Sequence, residues 1–321
     1  MNSPNISIVI PSTGDLKNLD RLLVSILKQR TEELSYEVVV VINGIADSER
    51  HKFQEIINKF NNYKFEFIKN KNASTARNFG IASSKSDLLL FLDDDSELLG
   101  INFLINYYKL FNNLPSDIFA IGGGYVCDSN AGFFDKIYNY IQMNWFVSGK
   151  INSLGDAKYL LGGNFLINRN VINDQILFSD QIPYGGSENY FFASARSQGK
   201  TLRQVPIDVI HHTEESFFSI IKKTIKQGRG QAIVESEYNI RPDSEFDTKS
   251  KNLMIQNQLE SQSESAPFYY LPFLLFYRYT FWYGYYKYQN KMSAFVLFIF
   301  SNIFRYLNSL RYKIVDKLKK D

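Results

Sequence analysis

Cysteine and long apolar runs are scarce in this chain, and each scarcity excludes a class of protein. Cys127 is the only cysteine among 321 residues, which excludes an intramolecular disulfide and a zinc site built from several cysteines. The longest uncharged apolar stretch begins at Met292 and runs for about a dozen residues, short of the roughly 20 that a membrane-spanning helix needs. No basic segment precedes the first apolar run, so we expect no secretory signal.

Sequence motifs of several large enzyme classes are also missing. The pattern GxxxxGKS/T does not occur, so the glycines at 122–124 are not a P-loop. No GxGxxG follows the first strand-like run, which weighs against a dinucleotide-binding dehydrogenase. HExxH and GxSxG are absent as well.

Charged and aromatic residues are distributed unevenly. The net charge is +3, but residues 267–321 carry nine Lys or Arg against two Asp or Glu, which leaves 27 against 31 for residues 1–266. The carboxyl-terminal segment also holds 19 of the 50 aromatic residues. A shift this sharp predicts two parts with different surroundings.

Strand-like and helix-like runs alternate through the first 215 residues. Ile6–Pro11, Tyr36–Ile42 and Asp87–Leu92 are mostly apolar runs of strand length, as in buried parallel strands. Between the first two, Leu16–Arg30 spaces its apolar residues like a helix. The alternation predicts an α/β fold with a mostly parallel, doubly wound sheet flanked by helices.

Three consecutive carboxylates, Asp93, Asp94 and Asp95, directly follow the apolar run that ends at Leu92. In an open α/β sheet, ligands bind beyond the carboxyl ends of the strands. Adjacent negative charges repel one another unless a cation lies among them. Oxygen ligands with few His or Cys favour Mg²⁺ or Mn²⁺, which commonly bridge to substrate phosphates. A solvated acidic loop or helix N-terminus is the alternative.

Four stretches, in order, resemble the family 2 glycosyltransferases, which have the GT-A fold. Ile6–Pro11 and the following Ser-Thr-Gly are similar to the family's first strand and nucleotide loop, and Val38–Gly44 to its second strand and base-contacting end. Asn72–Gly80 is similar to the ARNxG segment, and Leu90–Asp95 to the DxD motif. The resemblance is specific over roughly residues 5–100, looser over the next 115 and nearly absent from the last 100.

The resemblance implies a donor site for a nucleotide-sugar. Asp93 would contact the ribose or the metal, Asp95 would ligate the Mn²⁺ or Mg²⁺ that holds the diphosphate, and Asp94 would fill the variable middle position. Arg77 would lie near the nucleotide or diphosphate.

Three further residues would complete the donor side. Pro11 and Thr13 belong to the stretch that is similar to the first strand and nucleotide loop. Asn43 stands where the family usually has an acidic residue. An amide both donates and accepts hydrogen bonds, so the base is not restricted to uracil.

The acceptor side depends on one carboxylate and a glycine pair. Glu188 occupies the place of the family's acidic ED motif and is the only carboxylate between 181 and 200. An inverting transfer needs a base for the acceptor hydroxyl, which the resemblance assigns to Glu188; a helix N-terminal carboxylate is the alternative. Gly162, Gly163 and Asn164 resemble the entrance to the acceptor-side strand, or alternatively form a bulge.

Two adjacent histidines follow an extended apolar stretch. The family often places a histidine near the metal or diphosphate, and a neutral imidazole could complete an Asp/Asp/His site. We expect His212, ahead of His211, to take that place. A structural role for both is the alternative.

The aromatic tail has the composition of a membrane interface. Pro267–Asn290 carries 13 aromatics in 24 residues, interrupted by Arg278 and Lys287. Tyrosine and tryptophan with basic residues favour a peripheral membrane surface. Packing on the catalytic core, a homo-oligomer interface and a true span are the alternatives. Basic–aromatic interleaving also occurs in single-stranded nucleic-acid binders, but nothing upstream supports a nucleic-acid partner.

These patterns divide the chain and predict its activity. We expect a GT-A domain at 1–240, with a nucleotide-sugar half at 1–100 and an acceptor half at 101–240, then a polar linker at 241–266 and an aromatic, basic helical tail at 267–321. The predicted enzyme is an inverting, metal-dependent hexosyltransferase. It would move a sugar from a nucleotide-sugar to a glycan or polyprenyl-linked glycan in bacterial surface-polysaccharide synthesis, in the cytoplasm at the inner face of the cell membrane.

Two other activities stay open at this point. A nucleotidyltransferase also has an α/β nucleotide domain and acidic metal ligands, but Ser12-Thr13-Gly14-Asp15 is a poor phosphate loop for one. A non-catalytic sugar-nucleotide-binding or scaffold protein, anchored by the tail, is the second alternative.

Overall fold

An eight-stranded sheet forms the centre of the protein. The computed structural model describes residues 3–70, 72–143, 155–157, 159–173, 176–182, 185–237, 239 and 268–299. The strands of this sheet are β1 (Ile6–Ser12), β2 (Tyr36–Asn43), β3 (Lys64–Ile68), β4 (Leu88–Leu92), β6 (Ile118–Gly122), β8 (Gly155–Ala157), β9 (Asn164–Asn168) and β10 (Thr201–Gln204). Their spatial order is β3-β2-β1-β4-β9-β6-β10-β8.

The amino-terminal half of the sheet is parallel, as the alternating pattern predicted. β3, β2, β1 and β4 run in the same direction, with Ile8 opposite both Val38 and Leu90. β9 is antiparallel to β4 and β6, whereas β10 is parallel to β6 and antiparallel to β8. The mostly parallel α/β class is confirmed, and the antiparallel strands lie in the less regular middle of the chain.

A three-stranded sheet continues from the carboxyl ends of the central strands. It consists of β5 (Ser96–Leu98), β11 (Val209–His211) and β7 (Tyr125–Cys127), in that order. Along the chain these strands follow β4, β10 and β6 after only a few residues. The short connections therefore meet at one edge of the main sheet, where α/β proteins place their ligands.

Helices cover both faces of the main sheet. Asp15 caps the first helix by accepting a hydrogen bond from the Asn18 amide, and Asn72 caps the third by accepting one from Ser74. Between β2 and β3, a 3₁₀ segment (Asp47–Phe53) leads directly into an α-helix. The α-helices with both ends among the described residues are α1 (Leu16–Leu27), α2 (Gln54–Lys59), α3 (Ala73–Ser83), α4 (Phe103–Asn112), α5 (Phe133–Ile141), α6 (Ser187–Ser197), α7 (Phe217–Glu237) and α8 (Leu271–Tyr288), and residues 292–299 are also helical.

Strand side chains alternate between two apolar layers, which explains the continuous apolar runs. In β1, Ile8 and Ile10 join the layer that packs against α1, α2 and α4. Val9 joins Phe91 and Phe165 in the opposite layer, against α3 and α6. All five side chains are fully buried. Each stabilises the fold by about 1.5–3 kcal/mol relative to an exposed side chain.

The aromatic helix α8 packs directly on the rest of the protein. Tyr277 is buried in a cluster with residues of α5 and α7. A Cβ atom on Gly228 would lie 1.9 Å from the Phe281 carbonyl oxygen, and one on Gly284 would lie 2.2 Å from that of Ile225. Both distances are far below van der Waals contact, so glycine lets the backbones of α7 and α8 touch.

The remaining predictions about the tail concern a membrane span and the boundaries of the tail. Within the described ranges, no helix combines the length and hydropathy that a membrane crossing requires. The predicted polar linker at 241–266 and residues 300–321 of the predicted tail lie outside the described residues. The domain boundaries therefore stay predictions.

Candidate active site

The candidate donor residues meet at the carboxyl edge of the main sheet. Asp93, Asp94 and Asp95 occupy the connection between β4 and β5. Ser12 ends the neighbouring strand β1, and His211 ends β11, which pairs with β5. The fold thus brings together residues that are up to 200 positions apart in the chain.

Asp94 is bound to the end of β1. Ser12 Oγ donates a hydrogen bond to Asp94 Oδ2 at 2.5 Å and accepts one from the Gly14 amide at 3.0 Å. Removal from water raises the pKa of Asp94 to about 7, an effect that the Ser12 hydrogen bond only partly offsets. The loop after β1 is thereby tied to the middle carboxylate of the triplet.

Asp95 faces a histidine that is held by an aromatic ring. His211 Nε2 lies 3.3 Å from Asp95 Oδ1, and the Tyr125 ring stacks on the imidazole with 4.3 Å between centroids. Burial raises the pKa of Asp95, but the positive charges of His211 and Lys223 outweigh it and lower that pKa below its ordinary value. Burial likewise opposes a charged His211, yet Asp95 raises the pKa of the imidazole above its usual range.

His212 contacts a different set of carboxylates. Its Nε2 lies 2.8 Å from Glu97 Oε2 and its Nδ1 lies 3.1 Å from Asp128 Oδ2. Neighbouring side chains of an extended segment project to opposite sides, so the two histidines reach different partners. The His211 imidazole, and not that of His212, therefore contacts the Asp95 carboxylate, whereas the His212 backbone amide donates a hydrogen bond to the Asp95 carbonyl at 2.8 Å.

The Asp95–His211 pair fits a divalent cation that a substrate helps to hold. Asp95 Oδ1 is buried and accepts no well-formed hydrogen bond. Two neighbouring ligands of one octahedral cation lie roughly 3 Å apart, given bonds of about 2.1 Å, and the observed 3.3 Å is close to this separation. Among the described residues, no group of three or more His, Cys, Asp or Glu could hold a metal alone. Magnesium-type sites commonly complete their coordination with substrate phosphates.

A buried arginine joins the donor-side carboxylates to the predicted base. Arg77 Nη1 lies 2.6 Å from Glu188 Oε1, and Nη2 lies 3.2 Å from Asp93 Oδ1. The side chain is 4% exposed. Burial opposes its charge, but the two carboxylates raise the pKa of Arg77 above its ordinary value, so it is cationic. Removal from water raises the pKa of Asp93 in spite of this neighbour.

The spacing of polar residues on α3 explains how this arginine reaches α6. Ser74, Arg77 and Asn78 lie at i, i+3 and i+4, on one side of the helix. Ser74 Oγ lies 2.5 Å from Ser187 Oγ in the first turn of α6. Asn78 binds the backbone of Phe178, donating to its carbonyl at 2.7 Å and accepting from its amide at 3.2 Å. This side of α3 therefore sets the position of the first turn of α6.

Two consecutive glycines lie against the two carboxylates. A Cβ on Gly162 would lie 2.9 Å from Glu188 Oε1, and one on Gly163 would lie 2.3 Å from Asp93 Oδ2. The segment that enters β9 therefore passes directly beside the predicted base and the DxD motif. Glycine is needed at 163 because a side chain would occupy the space of Asp93.

Asn164 is fully buried and its amide is used within the protein. Its Nδ2 donates to the carbonyls of Gly124 and Ile207, at 3.1 and 2.9 Å, and its Oδ1 accepts from the Tyr107 hydroxyl at 2.7 Å. Asn164 therefore holds the loops after β6 and β10 together, and its expected acceptor contact stays a prediction.

β1 and β2 carry the other predicted donor residues. Asn43 ends β2, is buried, and its Oδ1 accepts no hydrogen bond. A buried oxygen without a donor is costly unless a ligand supplies one. Pro11 is buried within β1, and Thr13 is exposed in the loop that follows it.

Ser12 and Tyr125 contact the site although sequence reasoning did not select them. Ser12 stands beside Thr13 in the predicted nucleotide loop, and no local pattern distinguishes the two hydroxyls. The Tyr125 hydroxyl accepts a hydrogen bond from the Gly163 amide at 2.8 Å, in addition to stacking on His211. Its position after three glycines was visible in the sequence, but its partners were not.

Known glycosyltransferases are similar to this chain in sequence. The family model "Glycosyl transferase family 2" matches residues 7–175, slightly more than half of the chain. Glycosyltransferase AglE from Haloferax volcanii is 24% identical over 230 residues, covering 71% of this chain and 73% of AglE. Poly(ribitol-phosphate) beta-N-acetylglucosaminyltransferase TarP from Staphylococcus aureus is 29% identical over 116 residues, 34% of each protein.

Solved structures show the same fold. Mannosyltransferase PcManGT from Pyrobaculum calidifontis, in complex with GDP-Man and Mn²⁺, superposes with a TM-score of 0.56 at 10% identity, covering 94% of this chain and 88% of that one. GalNAc-T7 with UDP, GalNAc and Mn²⁺ gives 0.51 at 16% identity, covering 80% and 54%. The chain has the GT-A fold and belongs to glycosyltransferase family 2.

Proposed function

We propose that this family 2 glycosyltransferase is an inverting, metal-dependent enzyme that transfers a sugar from a nucleotide-sugar to a glycan or lipid-linked glycan. The observation that carries the proposal is the pair of ion contacts from Arg77 to Glu188 and to Asp93. These contacts hold the candidate base and the first aspartate of the DxD motif on either side of the Arg77 guanidinium. The family assignment favours this activity over the nucleotidyltransferase and scaffold alternatives.

The donor would occupy the carboxyl edge of β1, β2 and β4. Asn43, with its unpaired oxygen, supports contact with the nucleotide base. The Pro11–Thr13 segment would lie beside the nucleoside, and Asp94, bound to Ser12, would keep that loop in place. Asp93 would contact the ribose.

Asp95 and His211 would hold a Mn²⁺ or Mg²⁺ ion together with the donor diphosphate. When bound, this ion offsets the negative charge that develops on the departing nucleoside diphosphate. Tyr125 keeps the His211 ring in place by stacking. Structures of PcManGT and GalNAc-T7 with Mn²⁺ support the choice of metal.

Glu188 would act as the base for the acceptor hydroxyl. Arg77 holds its Oε1 at 2.6 Å, so the other carboxylate oxygen would take the proton. The acceptor oxygen forms a bond to the anomeric carbon as the bond from that carbon to the diphosphate oxygen breaks. Attack from the face opposite the leaving group inverts the anomeric centre.

The relatives and the composition of the tail support the choice of acceptor and of cellular site. AglE and TarP are named as glycosyltransferases, and the name of TarP gives poly(ribitol-phosphate) as its acceptor. The aromatic, basic tail supports a polyprenyl-linked glycan acceptor at the inner face of the cell membrane, in bacterial surface-polysaccharide synthesis. A homo-oligomer formed through the tail is the alternative to membrane association, and a nucleic-acid partner is not part of the proposal.

A thermal-shift panel tests the donor site. UDP-, GDP- and TDP-sugars are each added with and without Mn²⁺, and a ligand at 100 times its Kd should stabilise the native chain by about 2.7 kcal/mol. We expect a Mn²⁺-dependent shift for one nucleotide class that Asp95→Asn abolishes. Asp87→Asn, at an exposed carboxylate just before β4, is the matched control and should keep the shift. A folded chain that responds to no donor contradicts the proposal.

Replacement of the base tests the chemical step. Glu188→Gln keeps the size of the side chain but removes the proton acceptor, so transfer should fall on the order of 10²–10⁴-fold. Donor binding in the thermal-shift panel should persist. Transfer at the wild-type rate by Glu188→Gln would remove this residue from the proposal.

A further inference from the structure

α7 and α8 form a parallel pair whose contacts define an inner and an outer side. Phe217 stacks on Phe276 with 5.3 Å between ring centroids, and Thr224 Oγ1 lies 2.7 Å from Thr280 Oγ1. Gly228 lies further along α7, against Phe281 of α8. Residue numbers therefore rise together along both helices, so the helices run in the same direction.

The side of the pair that faces away from α5 carries aromatic and basic residues. When two right-handed helices pack in parallel, each outer side of the pair contains residues from both helices. On one of these sides, residues that follow a contact position of the first helix lie beside residues that precede a contact position of the second helix. Phe218 follows Phe217, and Phe276 precedes the buried Tyr277, so the two phenylalanines share a side. They are 70% and 42% exposed.

The same side continues at helical spacing along each helix. Lys222 and Lys226 lie one and two turns beyond Phe218 and are exposed. Tyr283 and Lys287 lie two and three turns beyond Phe276, and Lys287 Nζ lies 5.3 Å from the centre of the Tyr283 ring. We call these six residues the outer face: Phe218, Lys222, Lys226, Phe276, Tyr283 and Lys287.

The charged residues of the outer face are all positive. Residues 268–299 contain no Asp or Glu. On α7, the acidic residues are Glu235 and Glu237, near its end, where they accept hydrogen bonds from Tyr285 and Tyr288 of α8. Within α7 and α8, the lysines of the outer face therefore have no carboxylate beside them before Glu235; the exposed Glu214, which precedes α7, lies 3.4 Å from Lys17.

The outer face borders the segment that carries the candidate metal ligand. Phe133, at the start of α5, contacts both Tyr269 and Phe273, and Phe273 contacts Phe217. Phe133 and Tyr269 are 42% and 52% exposed, so exposed rings extend around the start of α7. Only the short segment 212–216 separates His211 from α7.

We propose that the outer face docks the enzyme on an anionic lipid bilayer. Lysine and exposed aromatic rings suit lipid headgroups and the boundary of the acyl region. Protein–protein interfaces are instead depleted in lysine, which favours a bilayer over a second copy of the chain. Docking here would bring the segment after His211 close to the membrane. This inference rests on the proposed function, because docking on a bilayer serves an enzyme whose acceptor is linked to lipid. Binding to lipid can be measured independently of glycosyl transfer.

Vesicle co-sedimentation of the full chain tests the surface. Partition onto phosphatidylglycerol vesicles is compared with partition onto neutral phosphatidylcholine vesicles, at low and high ionic strength. The triple variant Lys222→Glu, Lys226→Glu, Lys287→Glu should partition onto the anionic vesicles roughly 100-fold less than the wild type, because each lysine near such a surface contributes about fivefold. Lys28→Glu, Lys69→Glu, Lys85→Glu makes the same charge change at exposed positions of the nucleotide half and should bind nearly as the wild type.

A second variant tests the aromatic contribution without changing charge. Phe218→Ser with Phe276→Ser should lower partition onto anionic vesicles, and circular dichroism checks that it remains folded. Equal partition onto neutral and anionic vesicles, or unchanged partition of the lysine variant, would overturn the proposal. So would a dimer in solution, measured by light scattering, that the aromatic variant dissociates.

Donor thermal shifts on the same samples separate this proposal from the proposed function. A chain that responds to a donor but binds no vesicles refutes only the docking surface. A chain that binds vesicles through the outer face but responds to no donor refutes only the proposed activity.

Discussion

Arg77 and Glu188, 111 positions apart in the chain, form an ion pair of 2.6 Å at the start of α6, in which the arginine is buried and the carboxylate is partly exposed. The same guanidinium contacts Asp93, so one side chain connects the candidate base to the DxD motif. The arrangement gives the arginine a positioning role: it orients the base without taking part in the bond changes.

Changing this arginine should affect turnover more than donor binding. Arg77→Lys keeps the charge but loses the planar fork that contacts two carboxylates at once. We expect kcat to fall by about 10–100-fold, with a smaller change in donor Kd. Arg77→Met leaves the partly buried Glu188 and Asp93 without their cation and should destabilise the protein by about 1–3 kcal/mol.

Kinetics and urea unfolding measure both effects. Arg50→Lys is the matched control, since Arg50 pairs with Asp47 at an exposed site, where an ion pair contributes at most about 1 kcal/mol. If Arg77→Lys weakened donor binding and kcat by equal factors, Arg77 would be a donor contact and not a positioning residue.

The two histidines should separate in their effect on metal binding. His211→Ala removes a proposed ligand, whereas His212→Ala removes contacts to Glu97 and Asp128. In Mn²⁺ titrations with a nucleoside diphosphate present, we expect His211→Ala to weaken binding by more than about 100-fold. His212→Ala should weaken it by about tenfold, as a supporting contact does. The reverse order would restore the sequence-based choice of His212.

Alanine substitutions of the two glycines before β9 should have different effects, one mainly on donor affinity and the other mainly on kcat. Gly163→Ala places a methyl group 2.3 Å from Asp93 Oδ2, so the carboxylate must move and donor affinity should fall. Gly162→Ala places one 2.9 Å from Glu188 Oε1, so kcat should fall with less change in donor affinity. Such overpacking costs about 1–3 kcal/mol. Donor titrations and steady-state kinetics on both variants check the division, and identical effects would contradict it.

Stability should depend on pH through Asp208. Burial raises the pKa of this carboxyl, against the opposing hydrogen bond from the Gly124 amide at 2.7 Å. A raised native pKa means that the folded chain binds the proton more tightly than the unfolded chain. The resulting stabilisation is present below the ordinary Asp pKa of about 3.9 and is lost as pH rises through the native value.

Asp208→Asn should therefore lose less stability than the wild type as pH rises above about 4. The amide oxygen can still accept from Gly124, so the fold should be kept. Urea unfolding between pH 4 and 8, with a chelator present, measures the difference, and the exposed Asp87→Asn serves as control. Parallel pH profiles for wild type and Asp208→Asn would show that the carboxyl has no such influence.

The sequence by itself determined the α/β class and the place of the three aspartates in the fold. Apolar runs such as Ile6–Pro11 imply strands buried on both faces, and helical spacing in Leu16–Arg30 implies a covering helix. Asp93–Asp95 follow a strand directly, so their place at the sheet edge needs no knowledge of other elements. These predictions depend on local periodicity and on strand ends, which short segments specify.

Only the tertiary structure decided which residues meet. The antiparallel insertion of β9 between β4 and β6 places Gly163 against Asp93 and buries Asn164, and neither follows from local pattern. The choice of His211 over His212 depends on which side of an extended segment faces Asp95, which the register with β5 sets. The physical reason is the same in each case: contacts between distant segments depend on register and crossing geometry.

The aromatic tail shows the same division. Its composition predicted a helix with an unusual surface, but aromatic residues occur on every side of α8, so periodicity could not separate buried rings from exposed ones. The close approach of Gly228 and Gly284 fixed the side that packs on α7. The outer face exists because that packing buries Tyr277 and leaves Phe276 in contact with solvent.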